Sequence, residues 1–184
     1  MNSIIELDAR LTSQLRVAER PGALRTLAVF FAHSGDSWFW AIGLLAVWLS
    51  GDSFWKKWAV VQFGSICLLA VLVLAIKFGI RRERPQGEWG QIYRVTDPHS
   101  FPSGHSARAF LIATIATGFG PPGLAIILWI WAPLVALSRV AMGMHYLSDI
   151  IVGALVGILV GMISLQIYAP VLTWLSNLLG FSLW

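Results

Sequence analysis

The sequence is poor in cysteine and in charge, and each scarcity excludes a class of protein. Among 184 residues there is one cysteine, Cys67, which lies inside an apolar run. A single thiol builds neither a disulfide framework nor a thiolate metal site, so we interpret Cys67 as a packing residue. Charged residues make up 12% of the chain, about half their share in an ordinary soluble domain. A soluble globular domain is therefore excluded.

Apolar residues are what the chain has in abundance: they make up 57% of it and form runs long enough to cross a bilayer. The formal net charge of +4 could suit a nucleic acid, but the basic residues flank apolar segments and form no continuous stripe. We therefore expect an integral membrane protein. The expected partners are the bilayer and an anionic lipid or substrate, and not a nucleic acid.

Periodicity predicts an all-α fold. Over residues 1–20, apolar positions recur at helical spacing between charged ones, which is typical of an amphipathic helix lying in the membrane interface. Residues 23–49 hold two short apolar runs, which form either two crossing helices or one broken helix. Four further membrane helices are predicted, at residues 54–79, 103–119, 124–141 and 146–168. The prediction is one domain over residues 1–184, an integral membrane bundle of about six membrane helices with an N-terminal interfacial helix.

Three further features of the sequence carry their own predictions. Residues 80–101 are rich in Arg, Gly and Pro and are expected to form a polar loop of functional length. Gly153, Gly157 and Gly161 repeat every four residues, which lets a neighbouring helix backbone approach closely, so we interpret them as packing residues. The tail over residues 170–184 is predicted to be a separate amphipathic cap.

Three polar clusters stand at the ends of the apolar runs, between residues 77 and 149. Counting crossings from one cluster to the next returns the chain to the same membrane face each time, so the three clusters are expected to meet there. Their residues are Lys77, Arg84 and Pro85; Pro102, Ser103, Gly104 and His105; and Ser138, Arg139, His145 and Asp149.

Several groups in these clusters suit a bound anion. Ser103 and Gly104 stand where a helix begins, so free backbone N–H groups and the positive end of the helix dipole can face the ligand. Lys77, Arg84 and Arg139 would add charge-assisted hydrogen bonds. Each residue also has a structural interpretation, because serine is a common N-cap and cations at helix ends often snorkel to the interface.

His145 and Asp149 are four residues apart at the start of a helix and so share one face. The carboxylate can accept a proton from one imidazole nitrogen and leave the other nitrogen to attack, which is the logic of an oriented nucleophile. His105 supplies a second imidazole that suits a general acid. An interfacial ion pair is the structural alternative, and zinc is a competing ligand. With three cations on the same face, we expect an anion and no metal.

The side on which the site opens follows from basic residues outside it. If both short helices of residues 23–49 cross, the positive-inside rule places the site outside the cytoplasm, on the periplasmic or extracellular side. The opposite face then carries Arg10, Arg16, Arg20, Arg25, Lys56 and Lys57, against Arg81, Arg82 and Arg94 on the face of the site.

The three clusters resemble the motifs of the type-2 phosphatidic acid phosphatase superfamily, which also includes vanadium haloperoxidases. The pattern is Lys, six residues and Arg-Pro; then Pro-Ser-Gly-His; then Ser-Arg, five residues, His, three residues and Asp. All of its positions match in order, and the helices resemble those of the small bacterial lipid phosphatases of this superfamily. The resemblance therefore implies a multi-pass protein of the bacterial inner membrane.

The resemblance further implies a lipid phosphatase that needs no metal or other cofactor and forms a phosphohistidine intermediate. His145 would attack phosphorus while Asp149 orients it. His105 would protonate the departing oxygen and then activate water. The non-bridging oxygens would be held by the remaining motif groups, Lys77, Arg84, Ser103, Gly104 and Arg139.

A phosphorylated membrane lipid is the expected substrate, because an acyl or prenyl tail can stay in the hydrocarbon beside such a site. Undecaprenyl diphosphate and phosphatidylglycerophosphate are favoured, with a lipid A phosphate and phosphatidic acid as alternatives. A haloperoxidase and a non-catalytic transport or lipid-binding protein are the competing functions. Headgroup contacts are expected from Trp89, Tyr93, Arg94 and His99, and from His33 and Asp36 if their turn reaches the same face.

Overall fold

The computed structural model describes residues 2–87, 89, 91–182 and 184, and the side chains within these ranges except those of residues 2–4 and 91–93. In this part of the chain the regular elements are α-helices, with one isolated bridge between Glu83 and His99. The all-α prediction is therefore confirmed. The helices are α1 (Asn2–Gln14), α2 (Ala23–Ser34), α3 (Ser37–Ser50), α4 (Ser53–Ile80), α5 (Gln91–Thr96), α6 (Gly104–Gly118), α7 (Pro122–Ala141) and α8 (Leu147–Leu179).

Within the described residues, three helices are long and apolar enough to cross a membrane on their own: α4, α7 and α8. The limits of α4 follow from its sequence. The carboxylate of Asp52 accepts hydrogen bonds from the amides of Phe54 and Trp55 at 3.0 and 3.1 Å, which caps the first turn. At the other end Arg81 adopts a left-handed conformation that stops the helix. Lys77 therefore lies in the last turn of α4, at the membrane face that carries the polar clusters.

Helices α2 and α3 share a single crossing. Just before α2, the amide of Val17 donates to the carbonyl of Ala141 at the end of α7 (2.8 Å). At the end of α2, the Ser34 hydroxyl accepts from the indole of Trp131, which lies deeper along α7 (2.9 Å). Helix α2 therefore runs inward from the face where α7 ends, and α3 completes the passage to the turn that precedes α4. Residues 23–49 form one broken crossing.

The shared crossing changes the distribution of charge. The N-terminal segment lies on the face of the polar clusters, where Arg16 donates to the Gln86 carbonyl (2.7 Å) and Asp8 pairs with Arg82 (2.7 Å). Of the two alternatives left open for residues 23–49, the structure has the broken helix, so the condition for placing the site outside the cytoplasm is not met. The N-terminal arginines stand on the same face as Arg81 and Arg94, and the opposite face keeps the two lysines at the start of α4, Lys56 and Lys57.

The predicted glycine stripe is confirmed as a packing surface between α6 and α8. A Cβ atom at Gly153 would lie 2.6 Å from the carbonyl oxygen of Ser103, and one at Gly161 would lie 2.8 Å from Thr114. At Gly157 it would overlap the carbonyl oxygen of Ala107. The close approach of the two backbones fixes the start of α6 against the start of α8, and so brings two of the polar clusters together.

Replacing Gly157 with alanine is expected to destabilise the protein by about 1–3 kcal/mol, because the added methyl group must displace backbone that cannot rotate away. The thermal unfolding midpoint in detergent measures the effect. Gly64 on α4 is the matched control: it has open space around it, so alanine there is expected to be neutral or to raise the midpoint slightly. Equal midpoints for the two variants would contradict the packing role.

Four predictions at the margins of the bundle are wrong. Helix α8 continues to Leu179, so residues 170–184 do not form a separate cap; Pro170 is accommodated inside it, as happens in apolar helices whose neighbours re-satisfy the freed carbonyl. The loop at 80–101 contains the short helix α5. Helix α1 ends at Gln14, short of residue 20. Cys67 is exposed on the outside of the bundle and does not pack in its interior.

Candidate active site

The three polar clusters meet at one face, as the crossing count predicted. A guanidinium nitrogen of Arg84 lies 3.1 Å from Nε2 of His145, which joins the first cluster to the third. The amide of Ser103 donates to the carbonyl of Asp149 (3.0 Å), which joins the second cluster to the third. Arg139 is buried and acts electrostatically on the imidazoles of both His105 and His145. The clusters therefore form one site.

His145 is held in the tautomer that a nucleophile requires. Its Nδ1 lies 2.7 Å from the carbonyl oxygen of Ser100, so Nδ1 carries the proton and donates it. Its Nε2 faces the guanidinium of Arg84, which can only donate, so Nε2 presents a lone pair. Burial, together with the positive charges of Arg84 and Arg139, lowers the pKa of His145 to about 3, although Asp149 opposes this shift. The imidazole is therefore neutral throughout the pH range of an ordinary assay.

Asp149 contacts His145 less directly than the helical spacing predicted. Its Oδ2 is 3.5 Å from Nδ1 of His145, beyond the closer acceptor on Ser100. The same oxygen accepts from the Tyr146 amide (2.9 Å), and Oδ1 accepts from Arg82 (2.7 Å). Asp149 is fully buried, so its charge still acts on the imidazole at this distance. Orientation of the ring falls mainly to the Ser100 carbonyl.

The N-terminal helix α1 is tied to this carboxylate through Arg82. One guanidinium nitrogen of Arg82 binds Asp149, and another binds Asp8 of α1 at 2.7 Å. Asp8 also accepts from the amide of Ser148 at the start of α8 (3.0 Å). This link was not predicted from the sequence. The only signal was an arginine two residues before the motif position Arg84.

Asp97 occupies the space between two of the predicted phosphate ligands. One of its carboxylate oxygens lies 2.7 Å from Nζ of Lys77 and 2.9 Å from a guanidinium nitrogen of Arg84. Lys77 also donates to the His99 carbonyl (2.7 Å), and Arg84 to that of Asp97 (2.8 Å). The Asp97 side chain is 39% exposed while both cations are buried. A carboxylate oxygen therefore stands where a phosphate oxygen would bind.

Replacing Asp97 with asparagine is expected to strengthen inhibition by inorganic phosphate by roughly threefold to tenfold, because an incoming anion no longer has to displace a negative charge. The inhibition constant of phosphate, measured against a lipid phosphate at fixed pH, tests this. Glu19→Gln is the control, since it removes an exposed carboxylate on the same face that pairs with Arg16. Weaker phosphate inhibition in Asp97→Asn would mean that the carboxylate mainly holds the two cations in place.

The turn between α2 and α3 lies at the face of the site, which was the condition for His33 and Asp36 to contact a headgroup. In the structure, Asp36 of this turn contacts His105. One carboxylate oxygen of Asp36 lies 2.8 Å from Nε2 of His105, and the other lies 3.0 Å from Nδ1 of His33. Arg108 of α6 donates to the Gly35 carbonyl at 3.0 Å and binds the adjoining Ser37 hydroxyl. Arg108 was not predicted as a site residue; its signal in the sequence is a single charge inside an apolar helix.

The other predicted headgroup residues mainly build the loop. Trp89 packs with the apolar cluster around Met142 and Met144. Arg94 donates to the carbonyls of Pro85 (2.8 Å) and Gly143 (3.2 Å), and the ring of His99 meets Phe78 edge to face. The side chain of Tyr93 lies outside the described residues. These contacts fix the loop over the site, so it presents Asp97 and the Ser100 carbonyl.

The chain is similar to known phosphatases in both sequence and structure. The family model of the PAP2 superfamily matches residues 58–171. The decaprenylphosphoryl-5-phosphoribose phosphatase of Mycobacterium tuberculosis is 32% identical over 163 residues, which cover 86% of this chain and 88% of that protein. The lipid A 1-phosphatase of Porphyromonas gingivalis is 34% identical over 110 residues, or 58% of this chain but only 23% of that longer protein. The crystal structure of Aquifex aeolicus LpxE superposes with a TM-score of 0.69 at 29% identity, covering 85% of this chain and 93% of that one.

Proposed function

Since this chain belongs to the PAP2 superfamily and is a phosphoric ester hydrolase of membrane lipids, we propose that it removes the terminal phosphate of a polyprenyl-linked lipid without a metal. One observation carries the mechanism: Nε2 of His145, with its lone pair, lies 3.1 Å from Arg84, which with Lys77 already binds a carboxylate. A phosphate replacing that carboxylate would lie against the nucleophile.

The proposed reaction has two steps. In the first, Nε2 of His145 forms a bond to phosphorus while the bond from phosphorus to the lipid oxygen breaks, and His105 gives a proton to that oxygen. In the second, a water oxygen attacks phosphorus, its proton passes to His105, and the phosphorus–nitrogen bond breaks. Lys77, Arg84 and Arg139 supply fixed positive charge to the phosphoryl oxygens in both steps.

The residues that would bind the phosphoryl oxygens supply the charge for which a metal would otherwise be needed. Lys77 and Arg84 flank one oxygen position, and Arg139 stands near both imidazoles. The carboxylates around the site engage cations or imidazoles: Asp97 binds Lys77 and Arg84, and Asp149 binds Arg82. A site rich in donors and with its carboxylates so engaged favours a phosphate over a divalent cation.

A polyprenyl tail is favoured for the substrate because the relative that matches this chain over most of both lengths carries decaprenylphosphoryl-5-phosphoribose in its name. Undecaprenyl diphosphate, favoured from the sequence, also carries a polyprenyl tail. Phosphatidylglycerophosphate keeps a place from the sequence analysis, as does phosphatidic acid. A lipid A phosphate is the alternative, supported by the name of one similar protein, a lipid A 1-phosphatase.

Phosphate release from a panel of these lipids, assayed with purified protein in detergent and EDTA, tests the proposal. We expect polyprenyl substrates to exceed the glycerolipids in kcat/KM by about tenfold or more. Activity lost in EDTA and restored by a divalent cation would contradict a metal-independent site. Release from none of the lipids would favour a non-catalytic lipid-binding protein, whereas bromide oxidation in the presence of vanadate would favour a haloperoxidase.

The orientation of the site is proposed anew from the shared crossing of α2 and α3. Because the N-terminal arginines lie on the face of the site, that face carries more basic residues than the opposite face, which has the two lysines at the start of α4. The positive-inside rule therefore assigns the face of the site to the cytoplasm. The earlier placement outside the cytoplasm depended on two crossings. Labelling of intact cells with a membrane-impermeant maleimide tests this in a Cys67→Ser background. Ser53→Cys should react and Arg20→Cys should not, and the reverse pattern would return the site to the outer face.

A further inference from the structure

We infer that Asp36 is the positioning residue of His105: it binds Nε2 of the imidazole, directs Nδ1 to the leaving oxygen, and stabilises the positive charge that the ring must carry when it gives up a proton. The inference rests on the proposed function, because it assigns a partner to the proposed acid. It concerns residues outside the three motifs, on the turn between α2 and α3.

The contacts specify where the protons lie. An ionised carboxylate only accepts hydrogen bonds, so the 2.8 Å contact to His105 requires a proton on Nε2 of that ring. The 3.0 Å contact from His33 likewise requires a proton on its Nδ1. The side chains of Asp36 and His105 are 8% and 15% exposed, whereas that of His33 is 50% exposed. Asp36 is thus anchored on its outer side by an imidazole in water and offers its inner oxygen to His105.

Asp36 stands at a helix N-cap but does not cap the helix. Asp52, in the equivalent position before α4, accepts from two backbone amides, whereas Asp36 makes no such bond to α3. A side-chain cap normally stabilises the start of a helix, and α3 forgoes it. The side chain is turned instead toward the two imidazoles. This difference between two aspartates in the same local position indicates that Asp36 is held there for His105.

The helix that presents His105 also holds the turn that presents Asp36. Arg108, one helical turn after His105 on α6, binds the Gly35 carbonyl through Nε (3.0 Å) and through a second guanidinium nitrogen, and binds the Ser37 hydroxyl at 2.6 Å. A Cβ atom at Gly35 would lie 3.3 Å from the His105 ring and 2.7 Å from Val135. The break in the crossing can therefore approach the imidazole closely, and its carbonyl is satisfied in an apolar setting.

The surroundings of His105 explain why a carboxylate is needed there. Burial, the guanidinium of Arg139 on α7 and that of Arg108 on the same helix each disfavour a positive charge on the imidazole. Asp36, which lies on the α2–α3 turn and is backed by His33, acts in the opposite sense through its hydrogen bond and its charge. Removing that charge would make the cationic ring, from which the proton must be donated, still less favourable.

The experiment compares Asp36→Asn with wild type on two leaving groups. An alkyl lipid phosphate needs a proton on its departing oxygen, whereas p-nitrophenyl phosphate releases a stable anion and needs none. We expect the variant to lose about 10²–10³-fold in kcat/KM on the lipid, but less than about fivefold in the initial burst of nitrophenolate. Asp52→Asn, the same change at the other N-cap, is expected to leave both rates unchanged.

A structural role alone predicts a different result, namely equal losses on both leaving groups, and that outcome would overturn the inference. If Asp36→Asn does not fold, ¹⁵N-histidine spectra of the wild type in micelles decide the question. The His105 signals, assigned by their loss in His105→Asn, should show a protonated Nε2. An unprotonated Nε2 would overturn the inference. A wild type that is inactive on both substrates would contradict the proposed function, and the spectra would still test the contact.

Discussion

His145→Ala is expected to lower kcat by about 10⁴-fold or more, because it removes the atom that bonds to phosphorus and no neighbouring group can replace it. His145 is almost completely buried, between the Ser100 carbonyl and Arg84. The measurement is the release of labelled phosphate from the preferred lipid. Acid-labile, base-stable label on the quenched protein, present in wild type and absent in the variant, would identify the phosphohistidine.

The control for this prediction must show that activity is lost without loss of the fold. His145→Gln keeps most of the side-chain volume and should lose activity to the same extent, with an unfolding midpoint close to that of wild type. Activity within about tenfold of wild type in a folded variant would remove His145 as the nucleophile. In that case label on another residue would identify the group that takes its place.

Arg84→Lys has the second largest expected effect, a fall in kcat of about 10²–10³-fold although the charge is kept. The guanidinium uses all three of its nitrogens, on the Asp97 carboxylate, on the carbonyls of Asp97 and Met144, and against Nε2 of His145. A lysine has one nitrogen and cannot bridge these positions. Steady-state kinetics on the preferred lipid measure the loss.

Arg81→Lys is the matched control for Arg84→Lys. Arg81 is exposed, and its side chain donates to the carbonyl of Phe78 in the turn that ends α4. It should keep wild-type rates. If Arg84→Lys were also fully active, charge alone would be sufficient at this position, and the proposed alignment of phosphate against His145 would be contradicted.

The positions of the motif residues could be predicted from the sequence because a membrane limits the possible arrangements. Each long apolar run reverses the side on which the chain emerges, so Lys77, Ser103, Arg139 and His145 had to reach the same face. Helical spacing likewise placed Asp149 near His145. The glycines of α8 carried an equally direct signal, since only small residues allow two backbones to approach closely.

The remaining contacts of the site could not be predicted because they join distant segments through side chains that follow no period. Asp97 reaches Lys77 across 20 residues of loop, and Asp36 reaches His105 across 69. The number of crossings by residues 23–49 was equally hidden, because two short apolar runs fit both topologies. The contacts of Val17 with Ala141 and of Ser34 with Trp131 show a single crossing, and Arg108 satisfies the Gly35 carbonyl at its break.

The carboxylate of Asp97 has a consequence for how the enzyme tolerates its own surroundings. Ordinary phospholipids are phosphodiesters with a single negative charge, and they vastly outnumber any one phosphorylated lipid in the bilayer. A phosphodiester headgroup would have to displace the Asp97 carboxylate from Lys77 and Arg84, and it would replace one negative charge with one negative charge. It would also bring its second ester group into the space between these cations. A doubly charged monoester gains by the exchange. If phosphate binds as proposed, ordinary phospholipids should inhibit the protein only weakly, and lipids with a terminal phosphate should be preferred.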